Sequence, residues 1–247
     1  MRPGFFILLF FTCSSSCGKN NLLQTQPMPP TDSPTINTVI HHREKTFTYL
    51  ALGDSYTIGQ SVPETENFPN QVVTLLKKDS LKGQLKIIAT SGWTTDQLKT
   101  AIVHAENEGS LLVNYDIVTL LIGVNNQYQG RDAADYKSKF EELLQKAVAL
   151  AGNKANHVIV ISIPDWGVTP FGLTRDPVKT AKEIDAYNII NKQLAQQYEV
   201  NYTEVTGYTR EAANDNSLLA VDGLHYSGKE YAIWAEKLAE IIKVVLR

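Results

Sequence analysis

The stretch Tyr49-Leu-Ala-Leu-Gly-Asp-Ser-Tyr-Thr-Ile-Gly59 predicts an apolar strand that runs directly into a tight turn. Residues 49–52 are apolar and compatible with β-structure, so they predict a short buried strand. Gly53 permits a sharp exit from that strand, and Asp54 and Ser55 are residue types that open helices. We therefore expect Ser55 at a strand-to-helix turn, with its side chain close to the backbone N–H groups that begin the helix.

Beyond this stretch, strand-like and helix-like segments alternate, which is typical of a parallel sheet with helices on both faces. Helical spacing of apolar residues separates amphipathic helices from short apolar strands. The predicted strands cover residues 47–52, 85–90, 117–122, 157–163 and 200–204. The predicted helices cover residues 68–78, 95–105, 133–151, 181–197 and 228–245. The pattern predicts one α/β domain over residues 47–247.

Composition narrows the class of protein. A chain of 247 residues with 43% hydrophobic content suits a single α/β domain with a filled core. The 23 basic and 26 acidic residues give a net charge of -3. This balance gives no reason to predict nucleic acid as a partner, and a small-molecule substrate fits it well.

The first 17 residues predict a secretory signal, with Arg2 before an apolar run too short to be a lasting membrane span. Cys17 follows small residues and resembles the lipidated cysteine of bacterial lipoproteins; Cys13 is the competing position, and an ordinary cleaved signal is the alternative. Residues 18–46 predict a flexible linker. We expect an exported protein that is lipid-anchored in the cell envelope, periplasmic or secreted.

Candidate catalytic residues follow the predicted strands, where sites of open α/β sheets form. A serine hydroxyl needs a base, commonly a histidine held by a carboxylate. His225 is the candidate base, because the other histidines fall in the linker, in a helix or at the wrong end of a strand. Asp222 lies three residues before it and can reach the far nitrogen of the imidazole. Ser55 is then the candidate nucleophile.

An ester carbonyl under attack becomes an oxyanion, which needs donors fixed in advance. The backbone N–H groups of Ser55 and Gly92 and the side-chain amide of Asn125 are the candidates. Each has an alternative interpretation: Ser55 as a helix N-cap, Gly92 as a turn glycine and Asn125 as a cap. For Asp222 and His225 the alternative is a surface turn.

The segments Gly53-Asp54-Ser55-Tyr56, Gly92, Gly123-Val-Asn125 and Asp222-Gly-Leu-His225 resemble, in order, the four sequence blocks of the SGNH, or GDSL-type, hydrolase family. The resemblance spans nearly all of residues 47–247. It implies a flavodoxin-like three-layer α/β/α sandwich and a serine esterase that works through an acyl-enzyme. It also implies no metal and no organic cofactor. Many members carry Asp after the asparagine of the third block, where this chain has Asn126.

Aromatic residues on the predicted site-facing loops are candidates for substrate binding, with core packing as the alternative. They are Trp93, Tyr128 and Trp166, with Phe171 and Tyr226 as further members. We expect carboxylic esters with a short acyl or acetyl group, carried by a small molecule, glycan or lipid. An O-acyltransferase with the same triad is an alternative. A flavodoxin-like module that cradles phosphate at residues 53–59 is another, but it has no use for His225.

Overall fold

The structure is a computed structural model that describes residues 12–14 and 44–247. The predicted signal of residues 1–17 and the predicted linker of residues 18–46 therefore lie largely outside the described residues, and so does Cys17. Cys13 is one of the described residues, and it is exposed. Within residues 44–247, no helix is long and apolar enough to cross a membrane.

In the described part of the chain, five strands form one parallel sheet in the order β2-β1-β3-β4-β5. This is the flavodoxin-like strand order, and it confirms the predicted α/β class and parallel sheet. The strands are β1 Lys45–Gly53, β2 Leu81–Ala89, β3 Ile117–Leu121, β4 Val158–Ile161 and β5 Asn201–Thr203.

Helices cover both faces of the sheet and complete the predicted three layers. Helices α2 and α8 pack against each other on one face, and α3, α5 and α6 pack on the other. The helices within residues 44–247 are α1 Ser55–Ile58, α2 Phe68–Lys77, α3 Thr95–Asn107, α4 Val124–Tyr128, α5 Ala133–Leu150, α6 Pro177–Gln197, α7 Thr206–Arg210 and α8 Gly228–Val245.

The burial of the central strands explains why the sequence predicts them as continuous apolar runs. Every residue of β3 and β4 is buried, as expected for parallel strands covered on both faces. Helix α8 turns a stripe of large side chains to the core, including Tyr231, Trp234 and Leu238. The edge strand β2 begins earlier than predicted, because its first residues pair with β1 through the backbone from Lys45↔Leu81 onward although several of them are polar.

Candidate active site

The turn after β1 places Ser55 at the first position of α1. The Asp54 carboxylate caps this helix by accepting a hydrogen bond from the Tyr56 backbone N–H at 3.1 Å. Gly53 is required because a Cβ there would overlap the Thr57 hydroxyl and lie 2.6 Å from the Leu121 carbonyl oxygen. The chain can therefore turn sharply against the end of β3 and present Ser55.

Asp54 itself is fully buried beneath this turn. Burial raises the pKa of its carboxyl group to about 8, although the hydrogen bond from Tyr56 acts in the opposite direction. Its second oxygen, Oδ2, has no hydrogen-bond partner among the described residues. The position of Asp54 fits a structural role at the cap of α1.

Asp222 and His225 form a hydrogen-bonded pair on the loop that precedes α8. The Asp222 Oδ2 atom and the His225 Nδ1 atom are 2.7 Å apart, and Asp222 Oδ1 accepts the backbone N–H groups of Leu224 and His225 at 2.9 Å. Partial burial disfavours the Asp222 carboxylate, but hydrogen bonds from Ser61 and His225 outweigh it and hold the pKa well below its usual range. An ionised carboxylate only accepts, so Nδ1 of His225 is the donor in this pair, and in the neutral imidazole Nε2 is then the acceptor.

The loop that carries this pair is fixed locally. A backbone hydrogen bond from Ala220 N–H to the His225 carbonyl at 2.8 Å closes the loop, and Leu219 and Tyr226 form an isolated antiparallel bridge. The Tyr56 ring lies against the imidazole of His225, with ring centroids 5.1 Å apart. The His225 ring is therefore supported by the residue that follows Ser55 as well as by its own loop.

Ser55 and His225 both line a cavity of about 200 Å³. Three of the predicted catalytic and oxyanion-hole residues, Ser55, Asn125 and His225, line it together, although no hydrogen bond joins Ser55 to His225 among the described residues. Such bonds often tighten only when substrate binds. The full lining is Ser55, Tyr56, Val124, Asn125, Tyr128, Trp166, Phe171, Leu224 and His225.

Asn125 reaches the cavity from the start of α4. Its Nδ2 atom donates a hydrogen bond to the Trp93 carbonyl oxygen at 2.9 Å, which orients the amide and leaves its second N–H for another acceptor. The neighbouring Asn126 is fully buried and uses both ends of its amide on Thr95: Oδ1 accepts from the Thr95 backbone N–H at 3.0 Å, and Nδ2 donates to the Thr95 hydroxyl at 2.8 Å. An aspartate at 126 would reverse the second contact, because its carboxylate only accepts and the Thr95 hydroxyl would have to donate.

Gly92 and Trp93 lie on the loop after β2, at the side of this cavity and outside its lining. Gly92 has φ +82°, a conformation that favours glycine, and a Cβ there would meet nothing within 4 Å. The open space above it leaves room for substrate. Trp93 lines a separate surface groove with residues of α3, so its predicted contact with substrate has no counterpart in the Ser55 cavity.

The aromatic side chains of Tyr128, Trp166 and Phe171 form one wall of the cavity, the aromatic wall. Trp166 and Tyr128 meet edge to face with centroids 5.3 Å apart, and Phe171 lies 6.0 Å from Trp166. The Trp166 indole N–H donates to Gln127 Oε1 at 2.8 Å, which fixes the ring. Tyr226 differs from expectation, because it is fully buried and its hydroxyl donates to the Asp165 carbonyl oxygen at 2.7 Å.

Sequence reasoning missed three parts of this lining: Tyr56, Val124 and Leu224. Each is adjacent in the chain to a predicted site residue, which is the signal that could have found them. Among the described residues, no group of three or more His, Cys, Asp or Glu side chains is placed to hold a metal ion. The expectation of a metal-free site stays a prediction.

Comparisons with known proteins bear on the whole domain. A model of the GDSL-like lipase/acylhydrolase family matches residues 51–233. The structure resembles the lipase/acylhydrolase from Enterococcus faecalis, with 16% identity, TM-score 0.63, and coverage of 80% of this chain and 96% of that one. It also resembles Axe2, an acetylxylan esterase from Geobacillus stearothermophilus, with 20% identity, TM-score 0.60, and coverage of 79% and 94%.

A member of the lipolytic protein G-D-S-L family from Veillonella parvula gives 19% identity, TM-score 0.62, and coverage of 81% of this chain and 99% of that one. At such identities these structures show the fold alone. No curated protein matches the sequence significantly. The family model spans most of the chain and confirms the resemblance drawn from the four sequence blocks. The chain therefore belongs to the GDSL-like lipase/acylhydrolase family, and it is a carboxylic-ester hydrolase.

Proposed function

We propose that the chain hydrolyses esters with a short acyl group through an acyl-enzyme formed on Ser55. The observation that carries this proposal is the His225–Asp222 pair, with its 2.7 Å hydrogen bond, in the wall of the cavity that Ser55 also lines. A base with its far nitrogen occupied by a carboxylate is the arrangement that activates a serine.

The proposed reaction has two halves. His225 Nε2 takes the proton of Ser55 Oγ as that oxygen attacks the ester carbonyl carbon, and Asp222 stabilises the imidazolium that forms. When the tetrahedral intermediate collapses, the bond to the alcohol oxygen breaks and His225 protonates the leaving alcohol. A water molecule then attacks the acyl-enzyme with the same histidine as base, which releases the carboxylic acid and restores Ser55.

The proposed oxyanion donors are the N–H groups of Ser55 and Gly92 and the Nδ2 amide of Asn125. The Ser55 N–H is at the start of α1, where a helix leaves its N–H groups without intrahelical partners. The Asn125 amide is pre-oriented by the Trp93 carbonyl oxygen. Donors held in place in this way need no reorganisation when charge develops.

The size of the cavity supports a short acyl group. Its volume of about 200 Å³ is below the range of roughly 300–1,000 Å³ typical of pockets for drug-sized ligands. Trp166 is 5% exposed and pinned by Gln127, so the aromatic wall resists opening. We expect acetyl and comparable small esters to be turned over faster than esters of long fatty acids.

Replacing the proposed nucleophile tests the function directly. Ser55→Ala removes the attacking oxygen and should abolish turnover of p-nitrophenyl acetate, and it should also abolish covalent labelling by a fluorophosphonate probe. Ser138→Ala on the exposed side of α5 is the matched control and should leave both unchanged. If purified, folded Ser55→Ala hydrolyses the ester at the wild-type rate, the proposed mechanism is wrong. Rates across p-nitrophenyl esters of increasing acyl length then test the size preference.

A further inference from the structure

The turn that follows α1 contains a serine in an unusual backbone conformation. Helix α1 ends at Ile58 with Gly59 as its C-cap, and two residues after Gly59 the backbone of Ser61 has φ +68°. Residues other than glycine seldom adopt this left-handed conformation, and such positions concentrate at functional sites. Glycine would suit the backbone at position 61 better than serine.

The Ser61 hydroxyl contacts the proposed catalytic carboxylate. Ser61 Oγ donates to Asp222 Oδ2 at 2.6 Å, and this is the same oxygen that lies 2.7 Å from His225 Nδ1. The other donors to Asp222 in the described structure, the backbone N–H groups of Leu224 and His225 and the ring Nδ1 of His225, belong to its own loop. Ser61 is thus the described donor that joins this carboxylate to the segment carrying Ser55.

The same turn also contacts the loop of a proposed oxyanion donor. Gln60 Oε1 accepts a hydrogen bond from Ser91 Oγ at 2.6 Å, and Ser91 directly precedes Gly92. The Gln60 backbone N–H donates to the Ser55 carbonyl at 2.9 Å, which ties the turn to α1. The adjacent side chains of Gln60 and Ser61 therefore reach two of the three other segments that the proposed reaction uses, the one with Gly92 and the one with Asp222 and His225.

We infer that Ser61 is a positioning residue for the ester hydrolysis proposed above, and the inference rests on that function. Its hydroxyl fixes the Asp222 carboxylate relative to the nucleophile segment, and Asp222 in turn fixes the ring of His225. Both Ser61 and Asp222 are partly exposed, so water competes for the carboxylate and offsets part of what this hydrogen bond contributes to folding stability. The rare backbone conformation is therefore better explained by the orientation of Asp222 than by stability.

Ser61→Gly is the variant that tests this inference, because it removes the hydroxyl and suits the left-handed backbone. Ser80→Gly is the matched control: Ser80 has φ +60°, is similarly half-buried and lies between α2 and β2, outside the proposed site. We expect the Tm of both variants to stay within about 4 °C of the wild type. We expect kcat for p-nitrophenyl acetate to fall about tenfold in Ser61→Gly alone, with KM within about twofold, which is the size expected for one hydrogen bond to a charged group.

A kcat for Ser61→Gly within about twofold of the wild type would overturn the inference, and so would an equal loss in Ser80→Gly. The rate of fluorophosphonate labelling at Ser55 separates this failure from failure of the proposed function. A wild type that is not labelled at Ser55 refutes the esterase mechanism and the inference with it. A wild type that is labelled, together with Ser61→Gly labelled equally fast, refutes the role of Ser61 only.

Discussion

Asn125 and Asn126 are adjacent asparagines for which the structure predicts opposite consequences of the same substitution. In Asn125→Ala the proposed oxyanion loses one of its donors, which in other hydrolases costs about 3–4 kcal/mol of transition-state stabilisation. We therefore expect kcat to fall by about 10²–10³-fold. The side chain gives up only one hydrogen bond of the resting protein, to the Trp93 carbonyl oxygen, so the loss of stability should be about 1 kcal/mol.

Asn126→Ala serves as the control because its amide does not line the cavity. It removes two hydrogen bonds and leaves the buried Thr95 N–H without its acceptor, at a cost of about 3 kcal/mol. For a domain of this size that corresponds to a fall in Tm of roughly 6–12 °C. At temperatures well below the new Tm, kcat should change by less than about threefold, because no proposed donor has been removed.

Thermal unfolding monitored by circular dichroism and steady-state hydrolysis of p-nitrophenyl acetate measure the two effects on the same samples. The expected pattern is a crossed one, with Asn125→Ala impaired in kcat and Asn126→Ala impaired in Tm. If Asn125→Ala retains more than about a third of the wild-type kcat, its amide does not stabilise the transition state. If the two variants lose kcat and Tm in parallel, the effect on rate is a consequence of unfolding.

Two further predictions concern the carboxylates. In Asp222→Asn the amide oxygen should stay on the Leu224 and His225 N–H groups, which turns the NH₂ toward His225 Nδ1 and favours the wrong tautomer of the imidazole. We therefore expect kcat to fall by about 10³–10⁴-fold with little change in KM. Kinetics close to those of the wild type would contradict the proposed role of Asp222. Burial raises the pKa of Asp54 to about 8, against about 4 in the unfolded chain, so the native state alone holds this proton between those values. The contribution of Asp54 to the free energy of unfolding is therefore complete below pH 4 and lost as pH rises toward 8. Urea unfolding of Asp54→Asn should show a smaller decline between pH 5 and pH 8 than the wild type, and an identical decline would place the proton elsewhere.

The sheet was predictable because its central strands are buried on both faces. Strands such as β3 and β4 must be apolar throughout, so their positions were visible, although the predicted ends at residues 122 and 163 lie one and two residues beyond the observed ends. The start of β2 was not, since an edge strand is held by backbone pairing that leaves no mark on residues such as Lys82 and Gln84. The short helices α4 and α7 were also missed, because five residues are too few to show helical spacing.

The candidate site was predictable where chemistry restricts the residue type. A serine, an asparagine and an Asp-x-x-His pair stand out at strand ends, and the structure brings Ser55, Asn125 and His225 to one cavity. Contacts across the fold leave no such signal. Nothing in the sequence links Ser61 to Asp222, and nothing separates the exposed Tyr128 from the buried Tyr226 until the packing is known.

The hydrogen bond between Ser61 and Asp222 joins residues 161 positions apart in the chain. A ribosome therefore completes the segment with Ser55 long before it adds the one with Asp222 and His225. During that interval the nascent chain holds a serine with no base beside it, and an unassisted serine hydroxyl reacts poorly with esters. The protein can hydrolyse esters only after folding has brought these two segments together. Translation products that stop short of residue 225 should therefore be inert toward the cell's own esters.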